Sequence, residues 1–310
     1  MSQPGIVEGP AAARARRSPR RTGGRARLYS RLVHLPHTLF ALPFAIVGLA
    51  LASYDRPLTT RVLLLVVVAF TAARFAAMAF NRLVDRGLDA ENPRTRGREL
   101  PAGALSPREV RLATAAAAAA FVLAAALLNP LCLALAPLAL IWVFFYSYTK
   151  RFTAASHLVL GLGLAIAPVG ASIALLGRLD PRFLWLAGAV ALWVAGFDTI
   201  YSLQDLDFDR RRGMHSLPRR LGPEHALAAV SLAFAGAVAC LGAAGFAFPV
   251  GALYWIALAG VTGTLAYERS LVSADDLSRV DRAFFTVNGW MSVGFAALVV
   301  ADRLRSGWSG

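Results

Sequence analysis

Nine apolar stretches, each 19 to 24 residues long, constrain this chain more than any other feature: 34–54, 62–84, 108–128, 131–149, 157–177, 183–204, 225–248, 250–268 and 283–302. About 20 apolar residues, rising 1.5 Å each, cross the hydrocarbon core of a bilayer. No water enters that core, so each stretch must bond its own backbone groups, which a helix does. Charged residues are 16% of the chain, against about 25% in an average soluble domain, and they cluster between the stretches. The expected fold is an all-α integral membrane protein with nine transmembrane helices and the lipid bilayer as its first partner.

The formal net charge of +14 does not point to nucleic acid. The arginines flank apolar stretches, and no basic patch is interleaved with aromatics, so the charge reads as membrane topology. With the N-terminus in the cytoplasm, 25 Lys and Arg fall on the inner side and 6 on the outer. That bias sets the orientation and puts the C-terminus outside the cell (inner or plasma) membrane. Residues 1–31, with eight arginines from Arg14 to Arg31, read as a disordered basic tail ahead of one transmembrane domain over 32–305. Cys132 and Cys240 lie inside apolar stretches and read as packing residues.

Two polar segments break this pattern, both at cytoplasmic ends of even-numbered stretches. NRLVDRGLDAENPRTRGRELPAG begins at Asn81 and holds Asp85, Asp89 and Glu91, with five arginines from Arg82 to Arg98. DTIYSLQDLDFDRRRGMHSLP begins at Asp198 and holds Asp205, Asp207 and Asp209. Each carries D-x-x-x-D, 120 residues apart, a hint of internal duplication. Residues four apart share a helical face, so Asp85 pairs with Asp89 and Asp205 with Asp209. Carboxylates gathered in one bundle repel and stay ionised together only beside cations. Hard oxygen donors suit Mg²⁺, which often binds carboxylates and substrate phosphates together. The natural ligand is a diphosphate, and Lys150, Arg151 and Arg94 can clamp its oxygens. Inside the second stretch Arg74 shares a face with Met78, Asn81 and Asp85. An ionisable residue at that depth is a functional candidate. Asp198 and Tyr201 close the sixth stretch in the same way. His34, His37 and His157 read as hydrogen-bonded or interfacial histidines.

These two segments, in this order, resemble the aspartate-rich signatures of the UbiA-type intramembrane prenyltransferases. RLVHLPHTLFALPFA, YSYTKRFT and HLVLGLGLAIAPVGA are similar to the 4-hydroxybenzoate polyprenyltransferase branch, which includes relatives in menaquinone synthesis. The resemblance spans about 30–303. It implies nine helices around a central cavity open to the cytoplasm and sideways to lipid. It also implies Mg²⁺ held by Asp85, Asp89, Asp205 and Asp209, with Asn81, Arg94, Lys150 and Arg151 at the diphosphate of an allylic polyprenyl donor. The expected reaction joins the prenyl group to a ring carbon of an aromatic acceptor, as in ubiquinone or menaquinone synthesis. Arg74, Asp198 and Tyr201 are then the catalytic candidates, with Asp198 as base. The first motif reads Asn81-Arg82, where the bacterial ubiquinone enzyme's pattern begins Asn-Asp.

Haem or chlorophyll prenylation are alternatives within that family, and NPRT and ELPAG favour the quinone branch. A transporter would place ionisable groups near the bilayer midplane, whereas these carboxylates gather at one face. A CDP-alcohol phosphotransferase would need a D-G-x-x-A-R run, which is absent.

Overall fold

The computed structural model describes residues 24–33, 38–281 and 287–307, and within them the ordered elements are helical. His34 and His37 lie outside the described residues. The helices are α1 (Arg25–Leu32), α2 (Thr38–Ala52), α3 (Thr60–Val84), α4 (Arg86–Glu91), α5 (Pro107–Leu128), α6 (Pro130–Thr149), α7 (Ser156–Leu176), α8 (Phe183–Ser202), α9 (Leu206–Arg212), α10 (Leu217–Leu221), α11 (Pro223–Ala247), α12 (Ala252–Ser270) and α13 (Asn288–Arg305).

The long helices stop where the local chemistry stops them. Ser106 and Glu109 form a capping box at the start of α5, with Pro107 in the first turn. The expected Asn129-Pro130 turn separates α5 from α6. Asn129 Oδ1 accepts from Cys132 N at 2.9 Å, and Asn129 Nδ2 donates to Ile173 O at 2.9 Å. One side chain thus caps α6 and fastens it to α7. Gly177 ends α7 at φ +71°, a left-handed conformation that glycine adopts without strain.

Successive helices pack side by side: α3 on α5, α5 on α6, α6 on α7, α7 on α8, α8 on α11, α11 on α12 and α12 on α13. The ring closes where α2 packs on α13, α7 and α3. Small residues allow the closest approaches. A Cβ at Gly48 would lie 2.5 Å from Pro168 O, and one at Gly161 would collide with Ala191 O. This is how helices associate in lipid, where apolar burial alone gives no drive. The largest core cluster joins α2, α7, α8, α11, α12 and α13 around Trp193, Phe44, Tyr254 and Phe295.

Among the described residues, six helical runs are long and apolar enough to cross a membrane: α3, α5, α6, α7, the α8–α9 run Phe183–Arg212, and α11. The chain is thus a multi-pass membrane protein. The other three expected spans are helices of 15, 19 and 18 residues, α2, α12 and α13. Glu268 and Arg269 lie within α12, and Asp302, Arg303 and Arg305 within α13. These charged groups reduce the apolar length.

One expectation is corrected. The segment read as a disordered tail through Arg31 closes with helix α1. It packs its end on α3: Arg82 Nε donates to Leu32 O at 3.3 Å, Tyr29 faces Phe75, and Leu32 and Val33 are buried beside Ala79 and Val110.

Candidate functional site

The two carboxylate segments share one local structure. At Asp85 the long helix α3 ends and α4 begins. At Asp205 the run from α8, extended by a 3-10 turn over Leu203–Asp205, gives way to α9. Asp85 has φ −91°, ψ 5° and Asp205 has φ −99°, ψ 3°. Each stands at the N-terminus of a short helix whose fourth residue is the second aspartate, and Asp89 and Asp209 are both buried. The expected i, i+4 pairing therefore holds, across a break in the helix rather than along a continuous one. The break turns each pair inward from the end of a membrane-length helix.

The pairs meet in one cavity of about 130 Å³. Asn81, Asp85 and Asp89 line one side, Asp205 and Asp209 the other. Tyr146, Ser147 and Lys150 come from the end of α6, with Arg94 and Arg98 from the loop after α4. Segments 120 residues apart thus converge as the motifs imply.

Asp85, Asp89 and Asp205 each have an identifiable partner. Asn81 Nδ2 donates to Asp85 Oδ2 at 3.0 Å, and Arg151 Nη2 donates to Asp85 Oδ1 at 3.4 Å. Arg98 Nη1 donates to Asp89 Oδ1 at 2.6 Å, with buried Arg82 Nη1 3.9 Å from Asp89 Oδ2. Asn92 Nδ2 and Arg94 Nε both donate to Asp205 Oδ1 at 3.0 Å, and Arg94 Nη2 bonds Asp205 Oδ2. Arg94 Nη1 donates to Tyr201 Oη at 2.6 Å. The clamp arginines expected at a diphosphate therefore sit on the carboxylates, because like charges this close need counter-ions.

The protonation states follow. Burial, and then Asp89, push the Asp85 carboxyl above the usual range, with Lys150 and Arg151 opposing. Burial works against charge on Lys150, but Tyr146, Asp198, Asp209 and Asp205 outweigh it and hold the amine above its ordinary value. Lys150 is thus a fixed cation at the cavity wall.

Among the described residues, no three His, Cys, Asp or Glu side chains converge as a ready metal centre. The donors nevertheless fit a hard cation. Four carboxylates and two amide side chains line or border one cavity, and Asp89 Oδ2 and Asp209 Oδ2 are buried without a hydrogen-bond partner.

The remaining candidates lie outside this lining. Arg74 sits within α3 with its Nε buried and unbonded. Asp198 is buried on α8, its Oδ2 2.6 Å from His157 Nδ1, and Leu217 N donates to His157 Nε2 at 3.4 Å. Tyr201 borders a neighbouring cleft with Arg94. Sequence reasoning missed Asn92 and the pairing of His157. Asn92 had a local signal: in Asn-Pro-Arg its Oδ1 accepts from Arg94 N at 3.0 Å, an Asx turn. His157 had none, since its partner is 41 residues away.

Comparison with known proteins places the chain in a family. The model of the UbiA prenyltransferase family matches residues 41–291. A 4-hydroxybenzoate octaprenyltransferase of Nitrosospira multiformis is 32% identical over 257 residues, 83% of this chain and 88% of that protein. One of the same description from Shewanella sp. strain MR-4 is 28% identical over 280 residues, 89% of this chain and 97% of that one. Among solved structures, the apo form of a UbiA homologue from Aeropyrum pernix K1 has a TM-score of 0.79 and 38% identity, covering 86% of this chain and 98% of its own. A UbiA homologue from Archaeoglobus fulgidus bound to GPP and Mg²⁺ has a TM-score of 0.71 at 20% identity, covering 89% and 99%, and shares the fold. With its two aspartate-bearing helix breaks facing one cavity and its match to the family over most of its length, this chain belongs to the UbiA prenyltransferase family, a family of transferases.

Proposed function

We propose that this chain moves a polyprenyl group from an allylic polyprenyl diphosphate to a ring carbon of a 4-hydroxybenzoate-like aromatic acceptor, in respiratory quinone synthesis. The observation that carries this reading is the meeting of Asp85, Asp89, Asp205 and Asp209 with Lys150 in one cavity at the ends of membrane-length helices. The curated relatives act on 4-hydroxybenzoate by their descriptions, and the Archaeoglobus homologue's GPP and Mg²⁺ support the donor and the cation. The runs α2, α12 and α13 complete nine spans in this reading. The arginine bias then turns the cavity to the cytoplasm, in the cell membrane.

Asp85, Asp89, Asp205 and Asp209 would hold Mg²⁺, with Asn81 and Asn92 orienting their oxygens. The chemistry Mg²⁺ supplies when bound is neutralisation of charge on a leaving diphosphate. Lys150, Arg151 and Arg94 take diphosphate oxygens as the allylic C–O bond breaks and its electron pair leaves with the phosphate. The apolar bundle keeps water from the allylic cation. A ring carbon of the acceptor forms the new C–C bond, and the ring proton goes to a base. We assign that proton to Asp198, which His157 orients. Arg74, within α3, adds a positive charge below Asn81. The polyprenyl chain stays in hydrocarbon, at about 0.8 kcal/mol per buried CH₂.

The test is an assay of purified protein with Mg²⁺, labelled prenyl diphosphates of several lengths and a panel of aromatic acids, with products identified by mass. A C-prenylated aromatic acid is expected. Transfer only to a non-aromatic acceptor, or to haem, would overturn the assignment of acceptor.

A further inference from the structure

Arg94 stands between two cavities. It lines the carboxylate cavity with Asp205, and it lines an adjacent cleft of about 450 Å³ with Arg31, Arg98, Tyr201 and Asp281. Its guanidinium grips Asp205 with two nitrogens, Nε on Oδ1 at 3.0 Å and Nη2 on Oδ2. The third nitrogen donates to Tyr201 Oη at 2.6 Å, and the guanidinium carbon lies 4.9 Å from that ring's centre. A two-pronged arginine–carboxylate pair is among the strongest charged contacts in proteins. It also engages both oxygens through which Asp205 could take another cation. The Arg94 side chain is 30% exposed, that of Asp205 13%, and Arg94 belongs to the loop between α4 and α5. It can leave Asp205 without moving a membrane helix.

We propose that Arg94 is a resident counter-ion that competes with a divalent cation for Asp205 and, once displaced, gives its freed donors to the diphosphate. This rests on the reading of the cavity as a cation and diphosphate site. Arg94 off Asp205 leaves a guanidinium without its carboxylate, and an arriving diphosphate supplies the replacement partner. Cation alone must therefore compete against Arg94, whereas cation with diphosphate does not. The loop couples loading of the two.

The experiment is Mn²⁺ binding by electron paramagnetic resonance, without any diphosphate, to purified wild type, Arg94→Ala, Arg94→Lys and Asp205→Ala. Lysine keeps the charge but cannot make the two-pronged grip. Both Arg94 variants are expected to bind Mn²⁺ more tightly, by about tenfold or 1.4 kcal/mol. Both are also expected to bind geranyl diphosphate more weakly in the presence of Mg²⁺. If Mn²⁺ binding depends on Asp205 and Arg94→Lys leaves it unchanged, the competition is refuted and the cation site stands. If Mn²⁺ binds wild type and Asp205→Ala alike, the cation site itself fails, and the competition with it.

Discussion

His157 Nδ1 lies 2.6 Å from Asp198 Oδ2, in a buried pair that ties α7 to α8 beside the cavity. The other ring nitrogen accepts from the Leu217 amide, so the neutral ring carries its proton on Nδ1 and donates it to the carboxylate. The segment between α9 and α10 is fastened at its other end, where His215 N donates to Lys150 O at 2.7 Å. Asp198, Lys150 and the residues after Asp209 are thus held in one network.

Replacing His157 with alanine leaves a buried carboxylate without its donor, at a cost of about 1.5–3 kcal/mol. Thermal unfolding in detergent should fall accordingly, and transfer with it. Glutamine, whose amide both donates and accepts, should restore most of each. A His157→Gln protein as impaired as His157→Ala would show that the two bonds are not what matters.

Asp85→Ala and Asp205→Ala should each reduce prenyl transfer by at least about 100-fold, the scale of losing one charge-stabilising group. Both proteins should still insert, since the apolar helices are untouched. Turnover near wild type in either variant contradicts the joint site.

Gly161→Ala should destabilise the bundle by about 1–3 kcal/mol, since the added methyl meets the Ala191 carbonyl and α7 must move off α8. The loss should appear in the melting temperature. A control at Gly170, where an added Cβ meets nothing within 4 Å, should melt near wild type.

On the opposite face, Asp180 follows α7 and is gripped by Arg182, with Arg178 nearby at 3.3 Å. The Arg182 hydrogen bonds hold the Asp180 carboxyl below the usual range against the effect of burial. A depressed folded-state value means its stabilisation is complete above the ordinary aspartate pKa of about 3.9 and disappears as the pH falls through the lower value. Asp180→Asn should therefore lower the melting temperature at neutral pH and flatten its decline in acid. An unchanged acid slope would show that another group controls that limb.

Much of this was legible in the apolar pattern. The stretch 131–149 became Pro130–Thr149, and 183–204 became Phe183–Ser202 and the turn after it, because length and hydrophobicity alone define a membrane helix. The convergence of Asp85, Asp89, Asp205 and Asp209 was legible too, since both motifs fall at the same end of even-numbered stretches. Three features were not. The break at Asp205 carries no proline or glycine, and at Asp85 the nearby Gly87 is itself helical within α4, so neither break is announced locally. Helix α1 forms from an arginine-rich segment because α3 and Arg82 offer it a surface, which is a tertiary effect. From sequence alone the arginines are expected at phosphate oxygens. Without that anion they bond the nearest carboxylates, and which arginine meets which aspartate depends on loop geometry that spacing does not encode.

The most direct measurement of the central claim is binding of geranyl diphosphate to the purified protein, by calorimetry, with and without Mg²⁺, in wild type and in Asp85→Ala and Asp205→Ala. Binding that requires Mg²⁺ and is lost in both variants is the predicted result. Mg²⁺-independent binding, or binding that survives in either variant, would show that the two helix breaks do not form one diphosphate site.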